Sequence, residues 1–324
     1  MLRPRRTSAG ERRPTPGTAP HGRVILRQGP VLTVLTPSGE RVPCLAKGKG
    51  KAAVVGDGVY FTPMPPTELA AGIIDAVAPR RNQLARSDGT QRPQIIAANL
   101  DRLVVVVAVE PPARGGLIDR LLVAAHAQGI PCCIVLNKID LLEDDEDTAE
   151  DLDEVLEPYP PLGNPVFRVS AATGEGVAEL GALLATGTSI LVGHSGVGKT
   201  SLLNALCPGL GERVKALSDA TGRGVHTTTS AALFALPGGG ELIDCPGVRM
   251  FALWGVEPAD LARHFVEFAP FAVQCRFANC RHDLEPGCAV VAAVEDETIH
   301  PARYDSYLRL RATVLGGELR GADW

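Results

Sequence analysis

The chain has 324 residues, 45% of them hydrophobic, and a net charge of -5. That length allows a sizeable core and two or three domains. The net negative charge argues against a protein that coats nucleic acid by charge alone. Without a run of about 18 apolar residues or the apolar segment of a signal peptide, the sequence predicts a soluble, cytoplasmic protein with no membrane partner.

The N-terminal third begins with a basic stretch, residues 1–22, which we interpret as a disordered tail. It either keeps the protein soluble or contacts phosphate, and the same two roles are open for the basic loop KGKGK at 47–51. Residues 23–92 hold short β-branched runs broken by Gly, Pro, Ser and Asp, a pattern typical of a small antiparallel sheet or barrel. We expect an OB-type barrel, although periodicity does not separate it from other small barrels.

Strands and helices alternate along residues 93–257, beginning with a continuous apolar run at 103–109. Such a run is typical of a strand that is buried on both faces of a parallel sheet. The predicted strands LVVVVAV, PCCIVLN, PVFRV, TSILV and ELI are separated by helical stretches. This order predicts an α/β domain with a mainly parallel sheet. The acidic segment 143–157 is interpreted as a solvated linker and helix start.

A phosphate-binding loop follows the predicted strand TSILV and opens a helix, the context that a P-loop requires. Its glycines allow backbone N–H groups to face phosphates, Lys199 supplies a positive charge to the β- and γ-phosphates, and Thr200 offers a hydroxyl to Mg²⁺. The predicted loop consists of Gly193, His194, Ser195, Gly196, Val197, Gly198, Lys199, Thr200 and Ser201.

Guanine recognition is predicted by the NKID segment at the end of a buried strand. The Asp140 carboxylate can accept hydrogen bonds from guanine N1–H and N2–H₂, whereas adenine would leave it unpaired, at a cost of about 1–3 kcal/mol or more. Lys138 would lie along the base plane, and Asn137 would brace neighbouring loops. The segment SAATG, with Ser170 and Ala171, also ends a strand and resembles the GTPase loop whose backbone N–H contacts guanine O6.

The segment DCPG ends another apolar strand and resembles the D-x-P-G motif of GTPases. In that motif Asp244 positions Mg²⁺ and the Gly247 N–H senses the γ-phosphate. One hydroxyl among Thr227, Thr228 and Thr229 would complete the Mg²⁺ shell, and the sequence does not choose among them.

Near the C-terminus, Cys275, Cys280, His282 and Cys288 fall within one short segment. In a chain without an export signal such clustering points to metal before disulfides. Three thiols and an imidazole are the donors of a closed tetrahedral Zn²⁺ site, so we predict one structural ion. The mainly helical segment 258–324 is the predicted zinc-binding domain.

The five GTPase motifs are present, but base recognition precedes the P-loop, which is a circular permutation of the ordinary order. The arrangement is permissible because every motif still ends a strand at one edge of the sheet. Together with VVGDGVYF, RNQLAR, GHSGVGKTSLLNAL, HTTT, DCPGVRMFALWGV and the Cys/His cluster, this order resembles the RsgA (YjeQ) family of circularly permuted GTPases that assist small ribosomal subunit biogenesis.

The resemblance implies an OB barrel, a permuted GTPase domain and a zinc domain that dock on ribosomal RNA, with hydrolysis of GTP to GDP stimulated by the small subunit. We expect a monomer and no DNA partner. Val248 follows D-x-P-G where many GTPases carry a water-orienting glutamine, and a valine cannot orient water. The resemblance makes His226 the catalytic candidate, together with Thr227, Thr228 and Gly247. The alternative for His226 is an ordinary switch-loop residue.

Two other functions are weighed against this one. The first is an RNA-binding module that uses GTP only as a structural ligand, which ribosome-stimulated turnover would distinguish from an enzyme. The second is a small-molecule kinase built on a P-loop, which the guanine motif disfavours because such a kinase does not need it.

Overall fold

The computed structural model describes residues 20–87, 93–143, 145–210, 231–244 and 253–316. Within them an N-terminal barrel, a central α/β sheet and a C-terminal helical unit follow one another along the chain. The predicted tail therefore lies almost entirely outside the described residues.

The N-terminal segment forms a closed barrel, as predicted, and the barrel has five strands. Strand β1 pairs with both β2 and β4, β2 pairs with β3, and β5 joins β4 antiparallel and β3 in parallel, so the ring is complete. Alternating side chains of β2 are buried, the period expected of a strand with one face on a core. The strands are β1 (Gly22–Gln28), β2 (Val31–Leu35), β3 (Arg41–Ala46), β4 (Gly58–Pro63) and β5 (Gly72–Val77), with a 3-10 helix (Gly48–Ala52) after β3.

An antiparallel hairpin of β6 (Gln83–Ser87) and β7 (Pro93–Ala98) leads from the barrel to the central sheet. It crosses the predicted domain boundary at residues 92 and 93. Asn82 fixes the return of the chain, because its side chain donates to Leu100 O and accepts from Leu100 N, both at 2.8 Å. The RNQLAR segment noted in the sequence therefore begins this connection.

The central sheet has the strand order β10-β9-β8-β11-β13-β12. The first five strands are parallel, as predicted. The edge strand β12, which was not predicted, is antiparallel to β13. Their ranges are β8 (Arg102–Ala108), β9 (Cys132–Asn137), β10 (Val166–Val169), β11 (Thr188–Val192), β12 (Ala232–Ala235) and β13 (Glu241–Asp244).

Helices cover both faces of this sheet, which explains the uninterrupted apolar run of β8. Val105 and Val107 enter the core on the side of α1, whereas Val104 and Val106 enter the core on the side of α3 and α4. Strands covered on both faces need no polar alternation. The helices are α1 (Gly115–His126), α2 (Glu146–Leu156), α3 (Val177–Leu184) and α4 (Lys199–Leu206).

Arg23 of β1 joins the barrel to the central sheet. Its guanidinium donates to Gly56 O in the barrel, to Thr188 Oγ1 in β11, and to the Glu241 carboxylate in β13. Thr188 Oγ1 in turn donates to Glu241 at 2.7 Å. A single pair, Leu26 with Ala232, extends the hydrogen bonding from β1 to β12.

The C-terminal unit is mainly helical, as predicted, and packs on α1. It contains α5 (Ala269–Ala272), α6 (Ala289–Glu295) and α7 (Pro301–Val314), preceded by 3-10 helices Leu261–His264 and Val266–Phe268. Val123 of α1 is buried among its apolar residues, and Arg303 of α7 reaches Asp119 of α1. Among the described residues no helix combines the length and apolarity needed to cross a membrane.

Candidate nucleotide site and metal cluster

The predicted nucleotide-binding segments follow the ends of neighbouring parallel strands. Asn137 ends β9, Ser170 follows β10, the loop 193–198 follows β11, and Asp244 ends β13. Because these strands run in the same direction, all four segments lie at one edge of the sheet, which is where open α/β sheets bind ligands. The permuted chain order does not disturb this arrangement.

Steric limits explain the two glycines that the P-loop pattern requires in this chain. A Cβ on Gly193 would lie 2.1 Å from Val106 O, so only glycine allows the loop to leave β11 at this point. Gly198 has φ +86°, in the left-handed region, and a Cβ there would lie 2.3 Å from Asn137 Nδ2. Helix α4 begins at the next residue, so the N–H groups of its first turn, which have no partner within the helix, lie at this loop.

Lys199 and Asp244 are two interacting charged groups near the P-loop. Lys199 Nζ donates to Gly193 O at 2.8 Å and to His194 O at 2.6 Å, so backbone carbonyls hold the ammonium at the loop. Burial lowers the pKa of Lys199, and the negative charge of Asp244 opposes that shift. Burial likewise raises the pKa of Asp244, with Lys199 opposing. The two groups therefore compensate each other's charge in a poorly solvated position.

Asn137 connects three of the predicted segments. Its side chain is buried; Nδ2 donates to Val197 O in the P-loop at 2.9 Å, and Oδ1 accepts from Ala171 N in the SAATG loop at 3.1 Å. The sequence predicted a bracing role for this asparagine, and the contacts have that form. An asparagine suits the position because one side chain must donate and accept at once.

The remaining polar groups of the NKID and SAATG segments also meet. Ser170 is buried, and its hydroxyl donates to Asp140 Oδ1 at 2.5 Å while it accepts from the N–H groups of Ala172 and Thr173. Lys138 adopts φ +66°, uncommon for a residue with a Cβ, and its Nζ donates to Glu110 O. The hydrogen bond from Ser170 thus fixes one of the two oxygens of the Asp140 carboxylate.

Sequence reasoning missed the Ser170 and Glu110 contacts. No signal in the sequence marks Glu110, because the acceptor is its backbone carbonyl, which every residue has. For Ser170 the motif predicted a loop near the base, whereas the hydrogen bond to Asp140 depends on how β9 and β10 pair.

The predicted catalytic residues, His226, Thr227, Thr228 and Gly247, lie outside the described residues, as do Thr229 and Val248. Ser195, Gly196, Thr200 and Ser201 of the predicted loop are described, and all four are exposed.

The metal cluster forms in the C-terminal unit between α5 and α6. Ligand atoms of Cys275, Cys280, His282 and Cys288 all lie within 4.8 Å of one another. His282 Nδ1 is 3.5 Å from the Sγ atoms of both Cys275 and Cys288, which are 3.9 Å apart. A tetrahedral ion with Zn–S bonds of about 2.3 Å and a Zn–N bond of about 2.0 Å separates its ligand atoms by roughly 3.5–3.8 Å. The distances among Cys275, His282 and Cys288 match such an ion, and Cys280 Sγ, within 4.8 Å of these three ligand atoms, offers the fourth donor.

The other described cysteines take no part in this cluster. Burial raises the pKa of the Cys44 thiol to about 11 and those of Cys132 and Cys133 to about 12. These thiols remain protonated at neutral pH and serve as small apolar side chains.

Comparison with known proteins identifies the family. The model of the family described as RsgA GTPase matches residues 77–254, more than half of the chain. This chain belongs to the RsgA GTPase family. It is therefore a GTPase, and the kinase interpretation of its P-loop is wrong.

RsgA proteins and their solved structures match nearly the whole chain. The small ribosomal subunit biogenesis GTPase RsgA of Azotobacter vinelandii is 44% identical in an alignment of 302 residues that covers 92% of this chain and 87% of the relative. YjeQ from Thermotoga maritima superimposes with a TM-score of 0.72 at 34% identity, covering 93% of this chain and 100% of that one. YloQ, described as a circularly permuted GTPase, gives 0.69 at 27% identity, over 95% and 99% of the two chains.

Proposed function

We propose that this GTPase acts on the small ribosomal subunit during its biogenesis and hydrolyses GTP to GDP and phosphate with ribosome-stimulated turnover. The RsgA relatives are named small ribosomal subunit biogenesis GTPases, and the match extends over about nine-tenths of the chain. The contact that best supports guanine-nucleotide binding is the buried Asn137 side chain, which joins the P-loop to the SAATG loop. The cytoplasmic location and the monomeric state remain predictions from the sequence.

Guanine selectivity is assigned to Asp140. Ser170 donates to Oδ1 of that carboxylate, so its remaining lone pairs are available to accept from guanine N1–H and N2–H₂. Ala171 N donates to Asn137, which holds the backbone of the SAATG loop next to the proposed position of the base. Lys138 covers the base plane. Adenine would leave the carboxylate partly unpaired, and so is excluded.

The β- and γ-phosphates are assigned to the loop 193–198 and the start of α4. Backbone N–H groups and the helix dipole favour anions there, and Lys199 is held at the loop before any phosphate arrives. The Thr200 hydroxyl and the Asp244 carboxylate are the oxygen donors that suit Mg²⁺, which would neutralise charge on the transferred phosphate. His226, Thr227, Thr228 and Gly247 remain the proposed catalytic and switch residues.

The Cys₃His cluster is assigned to one structural Zn²⁺. Four protein donors leave no open position for a substrate, so the ion holds the C-terminal unit together. That unit and the barrel are the proposed contacts with ribosomal RNA.

Phosphate release from GTP tests the function. The purified chain is assayed alone, with small subunits, and with large subunits as the control. Strong stimulation by small subunits only is expected. Equal rates in all three would refute the ribosomal role and favour a protein that uses GTP as a structural ligand.

Replacing Asp140 by asparagine tests the base site separately. The introduced side-chain amide would accept from Ser170 and present its NH₂ to the base, which suits the C2 oxygen of xanthine and opposes the amino group of guanine. We expect Asp140→Asn to lower GTP affinity by about 10–100-fold, from a loss of about 1–3 kcal/mol, and to raise XTP affinity. Asp147→Asn, an exposed change on α2, is the matched control. Unchanged preference for GTP would refute the assignment.

A further inference from the structure

The metal-ligand loop contains a backbone conformation that its own sequence disfavours. His282 has φ +53°, in the left-handed region, where a residue with a Cβ pays roughly 1–2 kcal/mol. Such a conformation persists only where surrounding groups hold it in place. The same residue supplies Nδ1 to the cluster, so its backbone decides where that ligand atom lies.

The Glu285 carboxylate accepts hydrogen bonds from the residues on both sides of His282. Its Oε1 accepts from Arg281 N at 3.1 Å and Arg281 Nε at 3.0 Å, and its Oε2 accepts from Asp283 N at 3.0 Å. The backbone N–H groups on both sides of His282 are therefore bound by one carboxylate. These hydrogen bonds, the one from Asp283 foremost, lower the pKa of Glu285 to about 2.

Helix α7 holds the carbonyls of the same three residues. The Tyr304 hydroxyl lies 3.0 Å from His282 O and 3.1 Å from Asp283 O, and the Tyr307 hydroxyl donates to Arg281 O at 2.5 Å. Side chains three apart lie on one face of a helix, so both tyrosines reach the loop together. Their rings stack on each other with centroids 6.3 Å apart, which limits the movement of either hydroxyl.

We propose that Tyr304, Tyr307 and Glu285 are positioning residues of the metal site, which hold the loop around His282 in its ligating conformation. This inference rests on the proposed Zn²⁺ site. When the loop already has its ligating conformation, Zn²⁺ binding does not have to supply the free energy of rearranging the loop. Because outer partners of metal ligands typically contribute 10–100-fold to affinity, removing one hydroxyl weakens binding by about 10-fold and removing both by up to about 100-fold.

Zinc affinity of the full-length chain, measured by competition with a chromophoric chelator, tests the proposal. The variants are Tyr304→Phe, Tyr307→Phe and the double variant, which keep the rings and remove only the hydroxyls. Tyr60→Phe in the barrel is the matched control, since it makes the same chemical change far from the cluster. We expect the Kd for Zn²⁺ to rise about 10-fold in each single variant and to stay at the wild-type value in Tyr60→Phe.

Unfolding of the chelator-treated chains separates positioning from general stability. Hydroxyls that only stabilised the fold would lower the unfolding midpoints of zinc-loaded and zinc-free chains equally and leave the Kd unchanged. A Kd within twofold of wild type in the double variant would overturn the proposal. The wild-type chain controls for the site itself: if it binds Zn²⁺ no more tightly than Cys288→Ser, the zinc assignment has failed.

Discussion

At the scale of single residues, the nucleotide edge depends on positions where a side chain is either required or forbidden. Asn137 is required because it donates to one loop and accepts from another. A residue with a side chain cannot replace Gly198, because the Asn137 side chain occupies the space that its Cβ would need. The two positions are 61 residues apart in the sequence, yet each limits what the other can be.

Gly198→Ala should abolish nucleotide binding for a reason beyond backbone strain. The new Cβ would lie 2.3 Å from Asn137 Nδ2 and push apart the P-loop and the SAATG loop. Gly209→Ala is the control, since Gly209 also has a positive φ, +80°, but a Cβ added there would meet no atom of the described residues within 4 Å. We expect both variants to lose about 1–2 kcal/mol of folding free energy from strain. Only Gly198→Ala should lose GDP binding, as measured by titration calorimetry; equal GDP affinities in the two would contradict the steric argument.

At the scale of elements, α1 connects the nucleotide domain to the C-terminal unit. Arg303 of α7 bonds to Asp119 of α1 and, at 2.7 Å, to Glu267, and it lies 4.6 Å from the ring centroid of Phe265. The Arg303 side chain is only 4% exposed. Replacing a whole buried ion pair by apolar residues is often neutral, but removing only the cation leaves uncompensated negative charge.

Arg303→Met should therefore destabilise the chain strongly. The substitution keeps much of the apolar volume but leaves Asp119 and Glu267 without their cation, at a cost of about 3–5 kcal/mol. Arg309→Met, on an exposed position of the same helix, should change stability by less than about 0.5 kcal/mol. Urea unfolding followed by fluorescence measures both. Equal midpoints for the two variants would show that the ion pairs contribute little to docking.

A second contact between α1 and the C-terminal unit should respond to pH. His126 Nδ1 and His264 Nδ1 are 3.2 Å apart, and burial, followed by the charges of His126 and Arg263, lowers the pKa of His264 against the opposing effect of Asp260. The unfolded chain then binds more protons than the folded one just below the ordinary histidine pKa of about 6.5. Stability contributed by this group is present above that pH and is lost as the pH falls through the lowered pKa.

Urea midpoints at pH 7.5 and pH 5.5 check this prediction. The wild-type chain should lose stability on acidification, and His264→Gln, which keeps a polar side chain without the titration, should lose less. Because the metal ligands titrate identically in both chains, the difference between them reports His264. An equal loss in the two chains would contradict the predicted role.

At the scale of the whole molecule, the sequence predicted what depends on local patterns and missed what depends on packing. The five parallel strands and their terminal motifs were predictable because apolar runs and motif residues are contiguous. The Arg303–Asp119 pair was not predictable, since it joins residues 184 positions apart. Strand β12 and the β6–β7 hairpin are short local elements that were not predicted either. Tyr304 and Tyr307 carry no signal either, because tyrosines three apart on a helix are typical of an ordinary packed face.

The three units of the molecule should differ in their dependence on metal. The metal ligands contact the C-terminal apolar cluster, whereas Asn137 and Ser170 lie at the far edge of a sheet with its own two cores. Sites without shared partners usually influence each other by about 0.3–0.5 kcal/mol. Removal of Zn²⁺ by a chelator, followed by excess Mg²⁺, should therefore change GDP affinity by no more than about twofold. The thiols of Cys275, Cys280 and Cys288 should meanwhile become reactive toward a disulfide reagent, which confirms that the ion has left. A tenfold loss of GDP affinity in the chelated chain would mean that α1 transmits the state of the metal cluster to the nucleotide edge, and the two sites would then have to be treated as one coupled system.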